Sequence, residues 1–254
     1  MAKVTIKSAR DIESMRESCR IVAEVLRMLE NHIQPGVRTD ELDRLAEEFI
    51  RSEDAEPAFK GYGYDKKNLF PASICTSIED EVVHGIPGSR ILKEGEIVSI
   101  DVGVLKSGFF GDGARTYAVG MVSEERRHLM EVTAQSLAEG VRQAKAGNRV
   151  QDISSAVQQR VEREGYSVVR DLVGHGVGRS LHEEPPIPNF GKAGVGPLLV
   201  SGMTLAIEPM VNAGSYRVKV DPDGWTVRTE DGRPSAHFEH TVLVTQDGPE
   251  ILTT

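Results

Sequence analysis

Apolar residues at Ile12, Met15, Cys19, Val22, Leu26 and Leu29 recur at spacings of three and four, and Ser8 stands three residues ahead of Asp11. That is the stripe of one helical face behind an N-terminal cap. Pro35-Gly36 ends it after about three heptads, so a packed surface helix is expected rather than a coiled coil. A second helix follows Thr39, with Leu42, Leu45, Ala46 and Phe49 inward. Pro57 to Pro71, holding Gly61, Tyr62, Gly63 and Tyr64, reads as a loop. Ser73 to Val83 then reads as a short strand leading to His84-Gly85-Ile86-Pro87.

The β-branched runs Ile97-Val98-Ser99-Ile100 and Arg115-Thr116-Tyr117-Ala118-Val119, joined through Lys106-Ser107-Gly108, predict a β-hairpin. A turn centred on Lys106 and Ser107 sets Asp101 directly opposite Asp112. Like charges there are destabilising, so the pair needs a shared proton or a cation. A turn of another length would leave each Asp solvated at a strand end, and the hairpin alone does not choose.

After the hairpin the order of elements recurs. Ser123 opens a helix through Leu129, Met130, Thr133, Leu137 and Val141; Gly147 breaks it, and a helix with Ile153, Val157 and Val161 ends at Gly165. Pro35-Gly36-Val37-Arg38-Thr39-Asp40 resembles Ala146-Gly147-Asn148-Arg149-Val150-Gln151. Gly95 to Asp101 is echoed by Gly202 to Glu208, a Gly, five residues and an acid, and His84-Gly85-Ile86 has a counterpart in His175-Gly176-Val177. A weak duplication of this kind predicts two similar halves sharing one sheet system. With no linker between them, residues 1–254 are expected to form one domain.

The second half adds acids and imidazoles. In Ala236 to Val244 the period of two puts Glu239 and Thr241 on one face, with Phe238, His240, Val242 and Val244 on the other. Glu208 ends the run Leu205-Ala206-Ile207 and precedes Pro209, so strands are expected to carry Asp101, Asp112, Glu208 and Glu239, where unpaired charge is expensive. His175 and His182 lie in the glycine-rich stretch Gly174 to Pro185, whose spacing does not make a dinucleotide fingerprint. His32 and His128 are expected solvated on helices, and His240 packed or hydrogen-bonded; the pattern leaves His237 open.

Composition narrows the class. Thirty basic against 39 acidic residues give a net charge of −9, which argues against non-specific nucleic-acid binding. Cys19 and Cys75 are too few for a disulfide framework. No apolar run is long enough to cross a bilayer, and Met1-Ala2-Lys3 lacks a following signal-peptide core, so a cytoplasmic location is expected. Four carboxylates balance two divalent cations, and one neutral imidazole leaves room for a bridging hydroxide: a two-metal hydrolytic centre fits. Oxygen-dominated ligation suits Mn, Fe or Co, with Zn accommodated, and is unlike a Cys/His structural zinc cage.

On His84-Gly85-Ile86-Pro87, Asp101 with Asp112, the segment His175 to His182, Ile207-Glu208-Pro209 and Glu239-His240-Thr241, the chain resembles the type I methionine aminopeptidases along essentially its whole length. The resemblance implies an α+β pita-bread fold, two pseudo-symmetric halves with antiparallel sheet around a dinuclear metal site and helices outside. It implies Asp101, Asp112, His175, Glu208 and Glu239 as ligands of two divalent ions (Co, Mn, Fe or Zn), Asp112 and Glu239 bridging both. It further implies Glu208 as proton shuttle, and His84 and His182 as substrate-side imidazoles, one on the scissile amide nitrogen and the other on oxyanion charge. The methionine pocket would draw on Tyr62 or Tyr64, Cys75, Leu181 and Trp225. Gly113 replaces a usual hydroxyl residue, Leu181 an expected phenylalanine, and the loop around Lys66-Lys67-Asn68 is lengthened. The expected activity is removal of N-terminal methionine before a small second residue. The alternatives are a proline-directed peptidase of the same fold, which usually carries an extra N-terminal domain, and a metal-free binding module. Nascent polypeptides and peptides are the expected partners of a monomer that binds neither DNA nor membrane; ribosome docking is left open.

Overall fold

A computed structural model describes residues 4–63 and 65–254, so the expectation placed on Tyr64 lies outside the described residues. In the first half, helices α1 (Ala9–Glu30) and α2 (Thr39–Ser52) precede strands β1 (Glu56–Pro57), β2 (Ile74–Ile78), β3 (Glu81–Val83), β4 (Ile97–Lys106) and β5 (Phe109–Ala118). In the second, α3 (Glu124–Gln143) and α4 (Val150–Arg163) precede β6 (Ser167–Val168), β7 (Val173–Gly176), β8 (Glu183–Pro188), β9 (Thr204–Ile207) and β10 (Met210–Asn212). The chain closes with β11 (Val218–Val220), β12 (Val227–Thr229), β13 (Ser235–His237), β14 (His240–Val244) and β15 (Pro249–Ile251).

The helix ends follow from local chemistry. Ser8 Oγ accepts from the Asp11 amide, and the Asp11 carboxylate accepts from the Ser8 amide at 3.0 Å, a reciprocal box that satisfies two orphan donors of α1. Ser123 caps α3 through the Arg126 amide. The α1 stripe packs on β4 and β5, and the approach is close: a Cβ at Gly111 would meet the Cys19 amide nitrogen at 2.7 Å. His32 follows α1 in an exposed turn, whereas His128 is only partly exposed, 3.4 Å from Glu164.

The duplication is built into the backbone. Gly36 donates to the Leu92 carbonyl at 2.9 Å and Leu92 to the Val37 carbonyl at 2.8 Å; Gly147 donates to Leu199 at 3.0 Å and Leu199 to Asn148 at 2.7 Å. Each half thus ties the turn before its second helix to the segment entering its acidic strand. The expected third echo does not hold. His175 pairs with Ala206, and the residue opposite Ser99, the repeat counterpart of Ala206, is Ser77 rather than His84. Nor is there one shared sheet: among the described residues the ladders form a sheet of β1, β2, β4 and β5, a sheet of β7, β8, β9, β14 and β15, and two sheets of three strands.

Two further expectations need correction. Ser73 to Val83 is not one strand: Glu79, at φ 59°, turns the chain so that β2 pairs with β4 while β3 pairs with β12. The hairpin turn lies one residue later than expected, at Ser107 and Gly108 with φ of 53° and 77°. A two-residue turn of this kind needs positive φ at both central positions, and Gly108 supplies the second without strain. Asp101 therefore pairs with Ala114, and Asp112 with Gly103. Because side chains alternate, an offset of two residues keeps both carboxylates on one face but diagonal, which opens space between them.

Candidate active site

Two threonines join the halves around the acids. Thr241 Oγ1 accepts from the Asp112 amide at 3.1 Å and donates to the Asp112 carbonyl at 2.8 Å. Thr116 Oγ1 does the same for His237, at 2.9 and 2.8 Å, and the Glu239 amide donates to the Ala114 carbonyl at 2.8 Å. Asp112 and Glu239, from opposite halves, are thereby fixed side by side. Glu239 does not sit within a strand, as the alternation suggested, but in the break between β13 and β14; Glu208 likewise stands just beyond β9, before Pro209. A break frees the backbone from the ladder and lets the carboxylate turn inward. The Glu208 carbonyl is held by Asn189 Nδ2 at 3.0 Å.

One cavity of about 100 Å³ gathers Asp101, Asp112, His175, Glu208 and Glu239 with His84, His182, Tyr62, Cys75, Leu181 and Trp225, the described residues that the resemblance implied for the site. Phe59 and Phe70 complete its apolar wall, and sequence reasoning missed both. Phe70 meets Phe59 and Trp225 edge-on, at 6.5 and 5.3 Å between ring centres. Asn68 clasps the same tryptophan: Trp225 Nε1 donates to the Asn68 carbonyl at 3.2 Å, and Asn68 Nδ2 to the Asp223 carbonyl at 3.1 Å. Arg228 pins the neighbouring strands through Asp221, Asp80 and Glu81, at 2.6, 2.9 and 2.7 Å. His84 leaves β3 at φ 59° and turns its ring toward Trp225, 6.3 Å away.

Charge decides what the cavity can hold. Burial pushes Asp101 up to about 7, and burial plus neighbouring carboxylates hold Asp112 and Glu239 well above the ordinary range. Burial works on Glu208 in the same direction, but His237, His175 and His84 outweigh it and keep that carboxyl low. His84 is depressed by burial, and His182 by burial and the adjacent His175 ring. Asp101 Oδ1, Asp112 Oδ1 and Glu239 Oε1 are shut off from solvent without a hydrogen-bond partner among the described residues. One donor atom each from Asp112, His175 and Glu239 lies within 4.8 Å of the others.

His175 sharpens the case. Its Nδ1 lies 2.9 Å from the Gly176 carbonyl, a pure acceptor, so Nδ1 carries a proton, and in the neutral ring Nε2 carries the lone pair. That lone pair faces Asp112 Oδ2 and Glu208 Oε1, each at 3.7 Å. Three electron-rich groups converging in a buried site fit a cation, and an oxygen-rich set with one imidazole fits a divalent one. His237 is the histidine that the sequence pattern left open. It is buried, with Nε2 3.4 Å from Glu208 Oε2. The signal was present in the period of two, which puts His237, Glu239 and Thr241 on one face. Cys75 and Cys19 are both unpaired thiols, their pKa values raised by burial.

Comparison with known proteins agrees with this geometry. The model of metallopeptidase family M24 matches residues 13–246. The methionine aminopeptidase of Clostridium perfringens is 53% identical over 251 residues, 98% of each chain. Methionine aminopeptidase 1 of Bacillus subtilis is 52% identical over 250 residues, 98% of this chain and 99% of that one. The crystal structure of methionine aminopeptidase from Thermotoga maritima superimposes with a TM-score of 0.96 at 45% identity, covering 99% of this chain and 100% of the other.

Proposed function

The chain belongs to metallopeptidase family M24 and, within it, to the methionine aminopeptidases, and on that premise we propose that it hydrolyses the N-terminal methionine from peptides and proteins whose second residue is small. Its fold is the pita-bread fold of that family. The observation that carries the proposal is the shared cavity: an acidic cluster with converging lone pairs on one side and a closed apolar wall of Phe59, Phe70, Cys75 and Leu181 on the other. A volume of about 100 Å³ suits one side chain, not a drug-sized ligand, for which pockets run to roughly 300–1,000 Å³.

Asp101, Asp112, His175, Glu208 and Glu239 would hold two divalent cations, drawn from Co, Mn, Fe or Zn. When bound, such ions supply Lewis-acid polarisation and acidify water. The protein's own residues do the rest. The apolar wall buries the methionine side chain, and sulfur against an aromatic ring adds about 0.3–1.5 kcal/mol. Glu208, kept ionised by the imidazoles around it, takes a proton from the attacking water and passes it to the departing amine. His84 holds the scissile amide nitrogen and His182 the oxyanion. Residues 1–254 act as one catalytic domain, and the expected setting is the cytoplasm, with the enzyme acting as a monomer on nascent chains.

The test is kcat/KM for Met-Ala-Ser, Met-Lys-Ser and Ala-Pro-Ala on one cation-loaded sample. Met-Ala-Ser should be cleaved far faster than the other two. Faster cleavage of Ala-Pro-Ala would replace the methionine reading with a proline-directed one.

A further inference from the structure

His175 and His182 come from one glycine-rich segment and face one cavity with ring centres 4.2 Å apart, yet their Nδ1 atoms meet different partners. The carbonyl of Gly176 fixes the first as Nδ1–H, with its lone pair on Nε2. The second meets a phenol: Tyr62 Oη lies 2.6 Å from His182 Nδ1. That contact has two possible directions. A distance of 2.6 Å is short for an N–H donor to oxygen, for which roughly 2.7–3.2 Å is usual, and sits within the shorter range of O–H donors. The lone pair of a neutral imidazole is also a much stronger acceptor than a phenolic oxygen. Both arguments make the phenol the donor.

We propose that Tyr62 is a positioning residue: it donates its phenolic proton to His182 Nδ1 and so fixes His182 as the Nε2–H tautomer, a hydrogen-bond donor presented to the substrate. Two adjacent imidazoles are thereby set to opposite tasks, His175 offering a lone pair and His182 an N–H. The tyrosine is suited to this because its backbone is held on both sides. Phe70 donates to the Tyr62 carbonyl at 2.8 Å, Tyr62 to the Phe59 carbonyl at 2.9 Å, and Gly61 to the Phe70 carbonyl at 2.8 Å. The phenol comes from the first half and the imidazole from the second, so the donor is complete only when the halves are packed. The consequence for catalysis rests on the reading of His182 as the oxyanion-side group; the tautomer assignment does not.

The experiment is a long-range proton–nitrogen correlation spectrum of the full chain, labelled at histidine nitrogens, near neutral pH, with His182→Gln used to assign the resonances. The expected wild-type result is an unprotonated, hydrogen-bonded Nδ1 and a protonated Nε2 at His182. Tyr62→Phe, which keeps the ring, should move the Nδ1 resonance while leaving that of His128 in place. A protonated Nδ1 in the wild type, or identical His182 signals in the two proteins, overturns the proposal. Kinetics supply a second arm. Tyr62→Phe should lower kcat for Met-Ala-Ser by about tenfold, part of the 10²–10³ that one oxyanion donor is worth, with KM moving less. In a His182→Gln background, whose amide N–H needs no tautomer, the same change should cost less than about twofold. Equal losses in both backgrounds overturn it. Failure of every methionine peptide would instead strike at the proposed function and leave the spectroscopic arm to decide the tautomer.

Discussion

The two halves repeat one plan and spend it differently. Each has two helices, a tie from the turn before its second helix to the entry of its acidic strand, and a pair of carboxylates. In the first half Asp101 and Asp112 sit inside long strands paired along their length, ten residues each. In the second half Glu208 and Glu239 stand at breaks between short strands. The first half therefore offers acids held in paired strands and the apolar wall of Phe59, Phe70 and Cys75, while the second supplies His175, His182 and His237 beside Glu208. In charge Glu208 stands apart: Asp101 is pushed up to about 7 and Asp112 and Glu239 are held well above the ordinary range, whereas Glu208 is held low by imidazoles. The repeated plan supplies the scaffold, and the halves differ in where their acids stand, within paired strands in the first and at strand breaks in the second.

The harshest break of this comparison is Asp101→Asn. It removes a charge from the rigid hairpin while keeping shape, so cation binding should weaken and turnover of Met-Ala-Ser nearly vanish with cooperative unfolding retained. Metal analysis and a melt on the same sample check it; unchanged metal content and rate would remove Asp101 from the ligand set. His182→Ala probes the second half. It should lower kcat by about 10²–10³ with the cations retained, and loss of an ion would mean that His182 is a ligand.

A chelated sample sharpens the charge contrast. Asp101 is raised in the folded protein from 3.8 to about 7, so without cations the fold binds more protons than the unfolded chain between those values. Its contribution is fully present below about pH 3.8 and is lost as pH rises toward 7, at about 1.4 kcal/mol per pH unit when fully developed. Divalent cations replace those protons. The gap in Tm between cation-loaded and chelated protein should therefore widen as pH is raised from about 4 to 7, and a gap that narrows would contradict the assignment.

Much of this was legible in the sequence because it depends on local chemistry. The stripe from Ile12 to Leu29, the Ser8 and Ser123 caps, and acids ending apolar runs each announce themselves over a few residues. What escaped depends on backbone dihedrals or on distant partners. The hairpin register turned on which residues accept positive φ, and the one-residue error displaced Asp101 from Asp112 by a diagonal. The echo of His84 by His175 was a likeness of letters without a shared ladder position. Phe59 and Phe70 enter the pocket from a loop with no period to betray them. The meeting of Tyr62 with His182 joins residues on opposite halves.

The smallest expected effect concerns the wall that the first half builds and the second half closes. Leu181, from the second half, is 4% exposed and packs with Phe59, Phe70 and Cys75. A branched aliphatic group there gives the methionine thioether no ring face, so peptides beginning with leucine or norleucine should show measurable turnover. Leu181→Phe should raise the preference for methionine over norleucine by about twofold to tenfold, the range spanned by one sulfur–aromatic contact. The larger ring also fills the cavity, and overpacking costs about 1–3 kcal/mol, so Tm should fall slightly as selectivity rises. Measuring kcat/KM for Met-Ala-Ser and norleucyl-Ala-Ser beside a melt separates the two. A lower Tm with unchanged selectivity would place Leu181 in the packing of the wall alone, and leave methionine recognition to the aromatic residues of the first half.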